Sequence, residues 1–426
     1  MPEEGCTYET VLYWSRLHWL LAAFALVALV AAACGDDDDD DDDGGEGGDG
    51  GEVTYGSAGF ETVEIDAGAP IKIGISSVTS GDLKGLGQPI VDAAMLAGKD
   101  KTIEGHAIEW VVKDDQCSSE GGAAAATQIL QEGVVAVIGP ICSGAVVAAQ
   151  PAYEEAGVTH VSPSSTAHKP TFPDRGEVFQ TFLRTTYSDD IQGPAQAKFA
   201  RETLKAETAY IVYDTDAYGS GLRDAFRKAF EAEGGKIVGS PEGFEKKQTD
   251  FKSIVTNIQN AKPDLVYFAG FYAEATPFIK QLRAENKDVK FLAGDGVKND
   301  EFTKGAGADA EGAYLSLPSP VYTGEGYTKF SALFEQETGL KVDSSPFVAE
   351  SYDAATVIIT AIEKVAEKDG DKLKIDLEKL NEEIRKVELD GAAGKIKFDA
   401  RGDNAGREAP VSLFVVKNGA YEEIKE

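Results

Sequence analysis

The chain is 426 residues long and carries 73 acidic against 41 basic side chains, a formal net charge of −32. That balance argues against a nucleic-acid partner, because phosphates are met by an excess of Lys and Arg, and the length allows two domains of ~100–200 residues each. The four histidines (His18, His106, His160, His168) and the cysteines have no metal-ligand spacing, so no metal and no cofactor is expected.

Residues 19–33 are an uncharged run of 15 residues ending in Ala31-Ala32-Ala33, directly before Cys34. The run is shorter than the ~20 apolar residues of a membrane span. It has the apolar core and small-residue end of a secretory signal. Small residues followed by Cys resemble a bacterial lipobox, which implies removal of residues 1–33 and lipid attachment at Cys34; an uncleaved membrane anchor is the alternative. Gly35 and eight consecutive aspartates (36–43) come next, then a glycine-rich acidic stretch to Gly51. Such a tract buries no apolar area and is extended by self-repulsion, so residues 34–69 are expected to be a linker. The globular remainder is then extracytoplasmic, held at the membrane by its N-terminus. In that compartment Cys117 and Cys142, the two cysteines outside the leader, suggest one disulfide.

From Ile71 onward, β-rich runs alternate with amphipathic helical stretches. Strands are predicted at 71–75, 107–113, 134–139 and 159–162, with helices at 88–101, 123–131 and 143–155. The run at 134–139 is Val-Val-Ala-Val-Ile-Gly, as expected of a strand covered on both faces of a parallel sheet. The pattern then repeats, with strands at 209–213, 236–240, 265–269 and 289–293 and helices at 221–233, 251–260 and 274–285. Helices at 327–337, 347–368 and 375–387 and short strands at 395–398 and 412–416 complete the chain. This is α/β, with two doubly wound parallel-sheet lobes in series.

In open parallel sheets ligands bind beyond the carboxyl ends of the strands. Polar clusters stand at several of these places. They include Ser76-Ser77-Val78-Thr79-Ser80-Gly81, Cys142-Ser143-Gly144, Ser162-Pro163-Ser164-Ser165-Thr166, residues 214–218, Phe271-Tyr272 and Gly294-Asp295-Gly296.

Six segments carry a family resemblance by their order and spacing. They are Asp114-Asp115-Gln116-Cys117, Ile138-Gly139-Pro140-Ile141-Cys142-Ser143, Ser162-Pro163-Ser164-Ser165-Thr166-Ala167, Leu183-Arg184-Thr185-Thr186, Tyr218-Gly219-Ser220-Gly221-Leu222 and Gly394-Lys395-Ile396-Lys397-Phe398-Asp399. Together they resemble the type I periplasmic binding proteins, closest to the leucine/isoleucine/valine-binding branch that serves ABC importers. The resemblance runs from about residue 70 to 416. It implies a hinged clamp with three crossovers, near Ser188, Pro318 and Asp390. One lobe would be 70–187 with 319–390, the other 188–318 with 391–426. It also implies a Cys117–Cys142 bridge. The function implied is that of a monomeric, lipid-anchored binding protein that captures a branched-chain or related aliphatic amino acid and delivers it to permease subunits. A ligand-sensing receptor domain of the same fold, or a binder of small amides, is the alternative.

An amino acid presents a carboxylate, an ammonium and a side chain. The carboxylate is best met by backbone N–H groups and hydroxyls where a helix begins. The resemblance gives that role to Ser143 and Thr166. Ser165 shares the hydroxyl-rich turn, and Ser164 would offer its backbone carbonyl to the ammonium. Asp295 matches the position of an acid facing the ammonium, and Tyr218 that of a ligand-contacting tyrosine. Phe271 falls where the family often has Tyr, Leu86 where an aromatic often packs, and Phe347 is a further wall residue. Plainer readings stand beside these: Ser and Thr favour helix N-caps, Gly-Asp-Gly is a turn signal, and Phe271 and Leu86 suit a core. Catalysis is not expected, since the chain has no G-x-S-x-G elbow, no H-E-x-x-H, no P-loop and no G-x-G-x-x-G after the first strand.

Overall fold

The computed structural model describes residues 53–174, 176–319, 322–406 and 411–425. The expected signal, Cys34 and the aspartate run lie outside the described residues, but the end of the expected 34–69 linker belongs to the fold: Thr62–Ile65 is a strand antiparallel to Lys372–Asp376, and Gly59 N donates to the Glu154 carbonyl at 2.9 Å.

The first sheet is built from β1 (Ile71–Ser77), β2 (His106–Asp114), β3 (Ala136–Ile138), β4 (Thr159–Ser162) and β5 (Phe182–Arg184). Their order is β2-β1-β3-β4-β5, all parallel, with Thr102–Ile103 antiparallel at the β2 edge. Helices α1 (Lys84–Ala97), α2 (Ser119–Gln131) and α3 (Ser143–Glu155) connect the first four strands. All three residues of β3 are buried, as its unbroken apolar run requires. Helix α1 starts a turn earlier than its apolar spacing predicts. Gly85 and Gly87 weaken the helical signal, but at Gly87 a Cβ would meet the Val78 carbonyl at 2.0 Å, so that glycine serves close packing.

The chain then crosses to a second sheet through α4 (Asp189–Lys198). This half contains β6 (Thr208–Asp214), α5 (Ala217–Ala232), β7 (Glu242–Phe244), α6 (Lys252–Ala261), β8 (Leu265–Ala269), α7 (Tyr272–Glu285), β9 (Lys290–Ala293), α8 (Asp300–Ala306) and β10 (Ala313–Leu317). The parallel order β7-β6-β8-β9-β10 repeats the winding of the first sheet. Each sheet therefore has a switch point, between β1 and β3 and between β6 and β8, where a crevice opens.

After β10 the chain returns to the first half as α9 (Glu325–Thr338), α10 (Val348–Val365) and α11 (Leu377–Lys386). Ile358, Ile362 and Leu380 join the core under the first sheet. The helices predicted at 347–368 and 375–387 are trimmed by an antiparallel pair, Glu367–Asp369 with Lys372–Asp376. Asp376 then caps α11 through bonds from Glu378 N and Lys379 N. The chain crosses a third time and ends as the hairpin β11 (Ser412–Lys417) and β12 (Ala420–Glu423), antiparallel at the β10 edge. This third crossing comes later than expected near Asp390. Ile396 and Phe398 still pack in the first core, and Asn404 Nδ2 donates to the Thr185 carbonyl at 2.9 Å. The strand predicted at 236–240 is only Lys236–Ile237, followed by β7.

Candidate ligand-binding cleft

Segments following the strands of both sheets meet around one small cavity. Leu86, Ser143, Ser164, Tyr218, Phe271, Asp295 and Phe347 line it, with Ile141, Cys142 and Gly296. Its volume is about 10 Å³, room for about one water. Ser165 and Thr166 do not line it; both are fully buried, Ser165 bonded to the lining Ser143 and Thr166 to Asp189 behind the wall.

The first sheet contributes the turn between β3 and α3. Gly139 has φ +92°, and a Cβ there would meet the Ser76 carbonyl at 2.2 Å, so only glycine lets the turn pass the end of β1. Cys142 is the residue before α3 and is bonded to Cys117, with a Cα–Cα distance of 5.3 Å. Ser143 is thus the first helical residue rather than the cap. Its hydroxyl oxygen accepts from Ala167 N at 3.3 Å and from Ser165 Oγ at 3.2 Å. Because Cys142 and Ser143 line the cavity, the N-terminal end of α3, the positive end of its dipole, stands on this side of it.

The loop after β4 is pinned from several directions. Ser164 Oγ donates to the Ile141 carbonyl at 2.7 Å and Ser162 Oγ to the Pro140 carbonyl at 2.6 Å. Beneath it, the fully buried Arg184 donates through Nη1 to the carbonyls of Ser165 (2.9 Å) and Ala167 (2.7 Å), while its Nε pairs with Asp403. Arg184 sits in one of the segments that carry the resemblance, but nothing in the sequence says that it braces this loop.

The second sheet contributes the opposite wall. The Tyr218 ring lies 5.0 Å from that of Phe271. Asp295 opens a short 3₁₀ turn directly after β9. The glycines on either side of it answer to crowding rather than to turn freedom. A Cβ at 294 would meet Leu222 at 2.6 Å and Tyr218 Oη at 2.7 Å, and one at 296 would meet the Gly270 carbonyl at 2.7 Å. Phe347 precedes α10 with φ +63° and is buried. A left-handed backbone at a bulky residue costs of order 1–3 kcal/mol and collects at functional sites.

Two residues absent from the sequence expectation complete the acidic side. Gln192 Nε2 donates to Asp295 Oδ1 at 2.7 Å and to Asp189 Oδ1 at 2.9 Å. Thr166 Oγ1 donates to Asp189 Oδ2 at 3.1 Å, so the two halves meet through an acid–amide–acid chain. Burial pushes the Asp295 carboxyl up to about 6, against the bonds from Gln192 and Tyr218. Asp189 is also raised well above the usual carboxylate range, first by burial and then by the charge of Asp295. In sequence Asp189 looks like an ordinary acid in the first turn of a helix, and Gln192 carries no signal. The cavity thus has a hydroxyl and helix-N-terminus pole suited to a carboxylate, an acidic pole suited to an ammonium, and apolar walls at Leu86, Phe271 and Phe347.

A family model described as periplasmic binding protein matches residues 70–420. The chain belongs to the type I periplasmic binding proteins, on the leucine/isoleucine/valine branch. It is 31% identical over 351 residues to the leucine-, isoleucine-, valine-, threonine- and alanine-binding protein of Pseudomonas aeruginosa, covering 81% of this chain and 90% of that protein. It is 30% identical to the leucine-specific-binding protein of Salmonella typhimurium, covering 82% and 93%. Among solved structures it is similar to a leucine-binding protein of Thermotoga maritima (TM-score 0.75, 27% identity, 83% of this chain and 98% of that one). A branched-chain amino acid transporter substrate-binding protein of Streptococcus pneumoniae, solved with isoleucine, is also similar (TM-score 0.72, 26% identity, 84% and 100%). These relatives are binding proteins, not enzymes.

Proposed function

We propose that this chain is the lipid-anchored, extracytoplasmic binding subunit of an ABC importer. It captures leucine, isoleucine, valine or a related aliphatic amino acid between two closing lobes and hands it to the permease. The observation that carries this reading is the pairing of opposite poles across one cavity. Ser143 and the start of α3 come from the first half, and Tyr218 and Asp295 from the second. Only a zwitterion with an apolar side chain satisfies both poles and the walls together. Because the space is about 10 Å³, an amino acid enters only when the halves part, and closure follows its capture. The names of the relatives support the ligand class, and the signal-like run before Cys34 supports the anchor.

Calorimetry with the three branched amino acids, alongside mass spectrometry of small molecules carried through purification, tests the ligand. Asp295→Ala should weaken binding by roughly 2–5 kcal/mol, the usual effect of removing one member of a desolvated charge pair. An unchanged affinity would mean that Asp295 is only a turn residue. For the anchor, Cys34→Ser should abolish incorporation of labelled fatty acid and release the protein from the membrane. Retention of the label would rule out lipidation at Cys34.

A further inference from the structure

The 3₁₀ turn that carries Asp295 into the cleft is followed at once by Lys298, which reaches a different cavity. This second chamber has a volume of about 450 Å³, within the range of small-molecule sites. Its walls come from both halves. Phe414 and Tyr421 belong to the terminal hairpin of the second sheet, while Tyr327 on α9 and Asp343 belong to the segment that returns to the first. Lys298 is only 5% exposed. Its ammonium lies 4.9 Å from the Phe414 ring centre and 5.1 Å from that of Tyr421. Its hydrogen bond is a long one, 3.4 Å, to the Asp343 carbonyl. Asp343, Asp300 and Glu350 act on it through their charge, and among the described residues none forms an ion pair with it.

A buried ammonium held by two rings and one long bond is undercompensated, since burying a charge is costly unless it is paired. Burial accordingly pushes the Lys298 pKa down. Lys341 lines the chamber together with Lys298, while the third lining lysine, Lys304, is paired with Glu301 at 3.0 Å. The walls are also prearranged, because Tyr421 Oη donates to the Asn299 carbonyl at 2.6 Å and accepts from Asn299 N at 3.1 Å. We propose that this chamber is a second ligand site, which takes a small organic acid with its carboxylate on Lys298 and a flat apolar body against Phe414, Tyr421 and Tyr327. A carboxylate supplies the partner that the ammonium lacks, and the aromatic walls favour a ring over a bare inorganic anion.

Phenylacetate is a suitable probe, with benzylamine as the same ring carrying the opposite charge. Phenylacetate should bind the full chain with a dissociation constant of about 1 mM or tighter, and benzylamine should not displace it. Lys298→Met should weaken phenylacetate at least roughly tenfold, as expected when one partner of a buried charge pair is lost. Tyr327→Ala, at a half-exposed position, should weaken it severalfold and provides the test if Lys298→Met does not fold. A crystal structure with phenylacetate should place the ring beside Phe414 and Tyr421. The proposal is overturned if phenylacetate does not bind, if either folded variant binds it as tightly as wild type, if benzylamine competes equally, or if the ring lies beside Tyr218 instead.

Discussion

The Tyr218 hydroxyl donates to Oδ1 of Asp295 at 2.9 Å, although the two residues stand 77 positions apart. The Tyr218 phenol oxygen also accepts from Gly296 N at 3.0 Å, so one phenol fixes both the carboxylate and the turn that carries it. Tyr218→Phe leaves a buried N–H and a buried carboxylate short of a partner, at a cost of about 1–3 kcal/mol. Melting should fall by several degrees, and amino-acid affinity roughly tenfold. Calorimetry and thermal melts on the same samples separate the two effects. If melting falls and affinity does not, the hydroxyl serves the turn alone.

The Asp189–Asp295 pair makes binding depend on pH. With its pKa raised to about 6, Asp295 holds a proton in much of the ligand-free protein at pH 5, whereas an ammonium favours the ionised acid. Amino-acid affinity should therefore rise from pH 5 to pH 7, with proton release that calorimetry in buffers of different ionisation enthalpy detects. Stability of the ligand-free fold has the opposite sign. A raised carboxyl contributes fully below its unfolded value, near 3.8, and that contribution is lost as pH rises through about 6. Asp115 and Asp214 are also raised to about 6 and add to the same slope, so the comparison is wild type against Asp295→Asn. A pH-independent affinity in wild type would contradict the assignment.

Hydrogen bonds join the halves at the rim, three of them from the second half to the segments after β1 and β2. Tyr272 Oη donates to the Asp82 carbonyl at 2.7 Å, Asn299 Nδ2 to the Gly85 carbonyl at 3.2 Å, and Lys246 Nζ to the Cys117 carbonyl. Each exists only while the halves are together. Tyr272→Phe should therefore shift the population toward open molecules and speed ligand release a few-fold, leaving the association rate nearly unchanged. Stopped-flow fluorescence and small-angle scattering measure the two quantities. Release at the wild-type rate would show that this bond does not hold the closed form.

The Cys117–Cys142 disulfide closes a segment with a sequence separation of 25, which in the chain-entropy account contributes about 3–4 kcal/mol. Because Cys142 also lines the cleft, Cys117→Ala with Cys142→Ala should lower both the melting temperature and ligand affinity. Peptide mapping of the unreduced protein should recover residues 117 and 142 linked. Two alkylated thiols at these positions would refute the bridge.

The alternation of strands and helices was open to a sequence reading because it depends on periodicity within about ten residues. Strands β4 and β8 and helix α3 fall on their predicted bounds. The places where polar clusters follow strands were equally legible, since parallel winding turns chain order into position. Strand β5, three residues long, and strand β10 were not anticipated. Nor was α4, whose Gly193-Pro194 speaks against a helix by propensity. In the fold a Cβ at Gly193 would meet the Ala225 side chain at 2.6 Å, so the glycine that obscures α4 is what lets it lie on α5. The acid–amide–acid chain likewise depended on the tertiary structure, because Gln192 and Asp295 meet across 103 residues. Local pattern thus determined the fold class, and the order of six segments carried the resemblance that pointed to the family and to the candidate cleft residues. Which polar groups share a bond, which acids burial pushes toward their protonated form, and that Lys298 has no ion pair among the described residues were decided by tertiary contact, because desolvation and pairing arise only when distant segments exclude water together.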